Sequence, residues 1–313
     1  MTDTDFHILL VSPRGFCAGV DRAVRIVERT IERYGAPVYV RHQIVHNPIV
    51  VADLEKKGAV FVRSHIEAKT DRPLIFSAHG TPLSVHNAAK NTGFDVIDAV
   101  CPLVQKVHNQ AVRLGEEGRT VILVGHAGHP EVIGTMGQLP KGVVQLVTCQ
   151  KDVDELTVPD PGRIAHITQT TLSIRDTQGI IARLKTRFPA IVAPKTSDIC
   201  YATTNRQKAV AATAARIDLM IVVGGRKSSN SNRLIETAQD CGAPRALLIE
   251  TAAELTKADV SDARIIGITA GASTPERSVR DVIERLGNLG TVTTEEISVC
   301  RENVAFRLPE RLA

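Results

Sequence analysis

Residues 101–131 read CPLVQKVHNQAVRLGEEGRTVILVGHAGHPE. Pro102 suits the first position of a helix, where its missing N–H costs nothing. Leu103, Val107, Ala111 and Leu114 then recur at helical spacing, and the stripe stops at Gly115. From Thr120 the run TVILVG is apolar without alternation, as in a strand covered on both sides, and beyond it lies the polar turn His129-Pro130-Glu131. The stretch therefore runs from a cysteine through a helix and a strand to a polar tip.

Working outward, the same order appears twice more, and an internal repeat sets the architecture. After Cys17, the residues Val20, Val24, Val27, Ile31 and Tyr34 mark one helix face closed by Gly35. After Cys200 comes the alanine-rich YATTNRQKAVAATAARI. Strand-like runs follow from Pro37 and Leu219, ending at His46-Asn47-Pro48 and Ser228-Ser229-Asn230. Each repeat adds a second strand (Ala59 to Val62, Val143 to Val147, Ala246 to Ile249). A third strand ends in the turns 77–82, 168–171 and 269–275.

Alternating short strands and helices predict parallel sheets covered by helices, with ligands at the carboxyl ends of the strands. The predicted fold is α/β, with three similar units and mainly parallel sheets in a pseudo-threefold arrangement. The units are residues 1–100, with the tail 288–313 packing back, 101–199 and 200–287. Ile8 to Val11 and Val304 to Leu308 are expected to pair as strands closing the first unit.

The 313 residues are 43 % apolar, enough for a large core. No apolar run approaches the twenty or so residues of a membrane span. The start, MTDTDFHILLV, is acidic where a secretory signal would be basic, which predicts a cytoplasmic protein. A net charge of +4 with no Trp and 3 % aromatic residues favours an anionic small molecule over a nucleic acid. Six cysteines in a chain of this length favour metal ligation or catalysis over a disulfide scaffold.

Cys17, Cys101 and Cys200 stand at equivalent points of the repeat, each at a helix start whose dipole favours a thiolate. Cys149 and Cys241 lie outside that position and read as structural. Cys300 is also left out, because RENVAFRLPERLA after it reads as a terminal strand. Three thiolates suit zinc with a fourth ligand, which usually includes a close cysteine pair. They equally suit a [4Fe–4S] cluster with one iron open to substrate. His46, His79 and His129 sit at repeat-equivalent tips and, with Ser228, Ser229 and Asn230, supply donors for a diphosphate. Neither a Walker A sequence nor a GxGxxG fingerprint after a strand is present. His42, His65, His86, His108, His126 and His166 read as structural. Glu131 is a candidate proton donor, and the Thr170 hydroxyl a candidate proton relay.

RGFCAGVDRA, AHG, CPLV, GHPEV, QTTLS, SDICYATTNRQ, SSNSNRL and TAGAS, in this order from Arg14 to Ser273, resemble the 4-hydroxy-3-methylbut-2-enyl diphosphate reductase family. The resemblance implies three α/β units around a central [4Fe–4S] cluster, one per chain, on Cys17, Cys101 and Cys200. It implies a diphosphate held by His46, His79, His129, Ser228, Ser229, Asn230 and Ser273, with Thr170 near the substrate hydroxyl and Glu131 as proton source. The implied reaction removes an allylic hydroxyl with two electrons and two protons, giving isopentenyl and dimethylallyl diphosphates. This is the last step of the non-mevalonate isoprenoid pathway. Reduced ferredoxin or flavodoxin is the implied donor, with no membrane or nucleic-acid partner. Two other classes stay open: a cluster-bearing hydro-lyase without net electron transfer, and a ligand-binding module with structural zinc.

Overall fold

The buried apolar runs form strands and the striped segments form helices in the computed structural model, which describes residues 5–313; the first four residues of the acidic start lie outside the described residues. The first stretch comprises β1 (Asp5–Ser12), α1 (Ala18–Tyr34), β2 (Val38–Arg41), α2 (Pro48–Lys56), β3 (Ala59–Val62), β4 (Leu74–Phe76), α3 (Leu83–Asn91) and β5 (Val96–Asp98). The second comprises α4 (Pro102–Glu116), β6 (Thr120–Val124), α5 (Pro130–Met136), β7 (Val144–Val147), α6 (Gln150–Glu155), β8 (Ile164–Thr168) and α7 (Ile174–Arg187). The third comprises α8 (Tyr201–Ala214), β9 (Leu219–Val223), α9 (Ser229–Asp240), β10 (Arg245–Ile249), α10 (Lys257–Val260), β11 (Ile265–Ala270), α11 (Glu276–Gly287) and β12 (Thr291–Ser298).

Three sheets result, with strand orders β3-β2-β4-β5, β7-β6-β8 and β10-β9-β11-β1-β12. Among the described residues every strand pairing in them is parallel. In each sheet the first strand after the cysteine helix is flanked by the second and the third, so the repeat read along the chain recurs in space. The chain divides into two compact units. One contains the residues to Val20, His46–Ala52 and Tyr201–Val304, and with them the five-stranded sheet. The other contains Asp21–Val45, Asp53–Cys200 and Ala305–Ala313, and with them the other two sheets.

Period-two alternation within fully buried strands explains the layers. Leu219, Ile221 and Val223 of β9 pack with Val279, Val282 and Leu286 of α11. The intervening Met220 and Val222 pack with Ala209 and Val210 of α8 and with Leu234 and Ala238 of α9. In the second unit Val121 and Leu123 of β6 meet the predicted stripe Val107, Ala111 and Leu114 of α4. Ile122 and Val124 turn instead to Ile180 and Leu184 of α7.

The chain ends depart from expectation. β1 does not pair with Val304 to Leu308; it lies between β11 and β12, with Ser12 opposite Ser298. Phe6 and Ile8 enter the core on one face of the sheet and Leu9 and Val11 the core on the other, as suits an interior strand. Residues 301–309 carry no regular structure. The mostly exposed β12, TVTTEEIS, forms the sheet edge, and its charges protect that edge from further pairing. Among the described residues no helix is long and apolar enough to cross a membrane.

Candidate active site

In the first unit Cys17 stands immediately before α1, at the end of a turn held to the tip of β11. Gly15 N–H donates to Ala270 O (3.2 Å) and Cys17 N–H to Ala272 O (3.1 Å). Gly15 takes φ +70°, where a side chain would be strained. The same tip carries Ser273, whose hydroxyl donates to His46 O at 3.2 Å. The Ser228 loop reaches the other side of that carbonyl, since a Cβ at Gly225 would lie 2.5 Å from His46 O. Asn47 caps α2 through Ile49 N–H (3.0 Å) and Val50 N–H (3.2 Å), while Ser228 accepts from Ser231 N–H (3.3 Å). Cys17, His46, Ser228, Ser229, Asn230 and Ser273 are thus borne by neighbouring loops of one unit.

Burial, reinforced by the Lys227 charge, lowers His46 to about 4, so its ring is neutral at neutral pH. Both polar atoms of the Asn230 amide are buried without a hydrogen-bond partner among the described residues. A buried amide in that state is the sort of group a polar ligand satisfies.

In the second unit the His79 loop and α5 are interlocked. A Cβ at Gly134 would meet the Gly80 backbone at 3.1 Å, and Gln138 Nε2 donates to Thr81 O at 2.9 Å. The His79 and His129 rings consequently meet edge to face, with centroids 5.9 Å apart. His129 caps α5 by accepting Glu131 N–H at Nδ1 (3.2 Å), which leaves the proton of the neutral ring on Nε2.

Glu131 points inward and is buried. Its Oε1 accepts Thr170 N–H at 2.6 Å and its Oε2 the Thr170 hydroxyl at 3.0 Å. Desolvation outweighs both hydrogen bonds, and with Asp198 nearby the carboxyl is raised from 4.5 to about 7. Glu131 therefore holds or releases a proton near neutrality, as an acid catalyst must.

The remaining two cysteines occupy the same local position as Cys17. Cys101 N–H donates to Ala78 O, beside His79, and Cys200 N–H to Thr170 O, both at 3.0 Å. In all three cases the helix begins at the next residue and the N–H is held by the loop after the third strand of a repeat. All three cysteines are partly exposed and none is in a disulfide. Among the described residues no three His, Cys, Asp or Glu side chains are grouped around a single metal ion. Three thiols, each just ahead of a helix, are a soft donor set that suits a cluster or zinc alike.

Several residues at these loops escaped the sequence reading. Arg22 Nη1 donates to Val100 O (3.0 Å), next to Cys101, and Lys106 Nζ to Ser197 O (3.0 Å), ahead of Cys200. The fully buried Arg206 donates to Gly15 O (2.7 Å) and pairs with Glu302 at 3.0 Å. The Tyr201 hydroxyl accepts Ala18 N–H at 3.3 Å, and burial, with the nearby Cys17, raises that phenol to about 12. The available signal was a basic residue five or six positions after each cysteine. Cys149 and Cys241 are exposed at helix ends, so neither fills the core place expected of a structural cysteine. His108 and His166 are buried, and His108 packs on the Gly80 backbone.

A model of the LytB protein family matches residues 8–287. A relative from Phenylobacterium zucineum, named 4-hydroxy-3-methylbut-2-enyl diphosphate reductase, is 54 % identical over 98 % of this chain and 97 % of its own length. One of the same name from Cereibacter sphaeroides is 51 % identical over 100 % of this chain and 98 % of its own. The solved E-1-hydroxy-2-methyl-but-2-enyl-4-diphosphate reductase of Plasmodium falciparum superposes with a TM-score of 0.93 at 36 % identity, covering 98 % of this chain and 97 % of that one. A second solved structure, of (E)-4-hydroxy-3-methyl-but-2-enyl diphosphate reductase as the terminal enzyme of the non-mevalonate pathway, gives 0.65 at 33 % identity, covering 90 % and 99 %. With near-complete coverage at half identity and a family match across both compact units, the chain belongs to the LytB family, that of the 4-hydroxy-3-methylbut-2-enyl diphosphate reductases.

Proposed function

We propose that this chain catalyses the reaction for which its relatives are named: reductive dehydroxylation of (E)-4-hydroxy-3-methylbut-2-enyl diphosphate, at the end of the non-mevalonate pathway. The C–O bond of the allylic alcohol breaks, two electrons and two protons enter, and water leaves with isopentenyl or dimethylallyl diphosphate. Cys17, Cys101 and Cys200 would hold one [4Fe–4S] cluster per chain, which when bound supplies the electrons and a Lewis-acidic iron. Reduced ferredoxin or flavodoxin is the donor class, and the cytoplasm the compartment. The division into repeats at 1–100 with 288–313, 101–199 and 200–287 is supported by the strand order shared by the three sheets.

His46, His79, His129, Ser228, Ser229, Asn230 and Ser273 bind the diphosphate and so orient the far hydroxyl. Neutral His46 serves as a hydrogen-bond donor, and the Asn230 amide finds its partner in the substrate. Glu131 delivers a proton toward the leaving oxygen through the Thr170 hydroxyl. The observation that carries this reading is the buried Glu131 carboxyl, near 7, bonded to a threonine whose carbonyl holds the Cys200 loop.

The test is anaerobic reconstitution with iron and sulfide, followed by turnover of the diphosphate with a reduced viologen or reduced flavodoxin. Both products should form only with the reductant. Conversion without electrons would favour the hydro-lyase, and a colourless chain containing zinc and no sulfide the ligand-binding module.

A further inference from the structure

The helices opened by the three cysteines share a second feature. Arg22 on α1, Lys106 on α4 and Arg206 on α8 lie five, five and six residues after Cys17, Cys101 and Cys200. Each donates to a backbone carbonyl one to three residues ahead of another cysteine: Val100 before Cys101, Ser197 before Cys200 and Gly15 before Cys17. The order closes on itself, because the first helix holds the second cysteine loop, the second holds the third, and the third holds the first. Every one of these contacts lies inside a single compact unit.

Each cation has a carboxylate close by. Lys106 Nζ is 3.5 Å from Asp198 Oδ1, and Arg206 Nη1 is 3.0 Å from Glu302 Oε1. Asp98, whose charge acts on Arg22, accepts Val100 N–H at its Oδ1 (2.8 Å), so both polar groups of Val100 are fixed. The acids come from DAVC, from SDIC and, for the first loop, from the tail after β12. Arg206 is fully buried and Arg22 and Lys106 are partly so, and each aims its donors at a backbone carbonyl, a directional hold that an apolar side chain cannot supply.

We infer that Arg22, Lys106 and Arg206 are positioning residues for the iron–sulfur site, each fixing the backbone that delivers the next cysteine thiolate. The inference rests on the reading that Cys17, Cys101 and Cys200 hold the cluster. None of the three is a catalytic residue; each acts through a cysteine.

The test compares the reconstituted full chain with Arg22→Gln, Lys106→Gln and Lys106→Arg. It measures iron and sulfide per chain, iron release to a chelator, the electron paramagnetic resonance spectrum of the reduced cluster, and the thermal midpoint of the cluster-free chain. Lys106→Gln and Arg22→Gln should release iron about tenfold faster with a changed spectrum. Lys106→Arg should restore retention and spectrum. Unchanged release and spectrum overturn the inference, as does a lowered cluster-free midpoint with the spectrum intact, which assigns the cations to folding alone. If Arg22→Gln does not fold, the Lys106 pair decides. An unmodified chain that takes up no iron and sulfide overturns the cluster reading beneath the inference; an unmodified chain that takes them up and variants that match it overturn the inference alone.

Discussion

Both oxygens of the Glu131 carboxylate are engaged by Thr170, one by its N–H at 2.6 Å and the other by its hydroxyl at 3.0 Å. The carbonyl of the same threonine accepts the Cys200 N–H at 3.0 Å. One residue thus joins the buried acid to a cysteine loop, and its hydroxyl is the adjustable part of that joint.

Thr170→Val keeps the shape and the backbone bonds but removes a hydrogen bond that favours ionised Glu131. The carboxyl should rise further, by about one pH unit for a bond to a charged group. In the pH profile of kcat the alkaline limb should move upward, while the maximum falls with the lost relay. A limb that stays in place would separate Thr170 from the titration of Glu131.

Glu131 also makes stability depend on pH. Its folded value near 7 exceeds the ordinary 4.5, so the folded chain holds a proton that the unfolded chain has released. This contribution is complete below about pH 4.5 and is lost as pH rises through 7, amounting to roughly 3 kcal/mol at most. Thermal midpoints between pH 5 and 8 should fall more steeply in the parent than in Glu131→Gln, which should also lose most turnover while keeping iron and substrate binding.

Asn230 forms no side-chain hydrogen bond among the described residues, so Asn230→Ala sacrifices none within the protein. The thermal midpoint should change little, whereas KM for the diphosphate should rise about tenfold or more, the cost of one bond to a charged ligand. A KM equal to that of the parent would remove Asn230 from the substrate shell.

Cys101→Ser should lose most iron and visible absorption, because its thiol opens α4 beside the His79 loop. Cys300→Ser should keep both, since Cys300 lies after the edge strand β12 and starts no helix. Iron analysis of the two variants under anaerobic conditions checks the distinction.

The three-part order was readable because parallel strands buried on both faces leave uninterrupted apolar runs, as in TVILV and LMIVV. The equivalence of the three cysteines followed from that order. α8 gave no apolar stripe to read because its buried face, with Ala202, Arg206, Ala209, Val210 and Thr213 at helical spacing, mixes small and polar residues with a cation. The contacts of Arg22, Lys106 and Arg206 were hidden for another reason: they join residues 78 to 191 positions apart, and a basic residue after each cysteine does not say which distant carbonyl it reaches. The tail misled in the same way. RENVAFRL suggests a strand, yet its work is done by Glu302 on Arg206 and by the Arg307 carbonyl on Arg22 Nε at 2.8 Å.

The closed order of these contacts has a consequence for a chain made from its amino end. Val100 leaves the ribosome after Arg22, and Ser197 after Lys106, so the second and third loops meet partners already synthesised. Gly15 instead waits for Arg206, and Arg206 for Glu302. Of the three cysteine loops, the one made first is therefore the last to be fixed, since its cation and that cation's carboxylate are both made after Cys200.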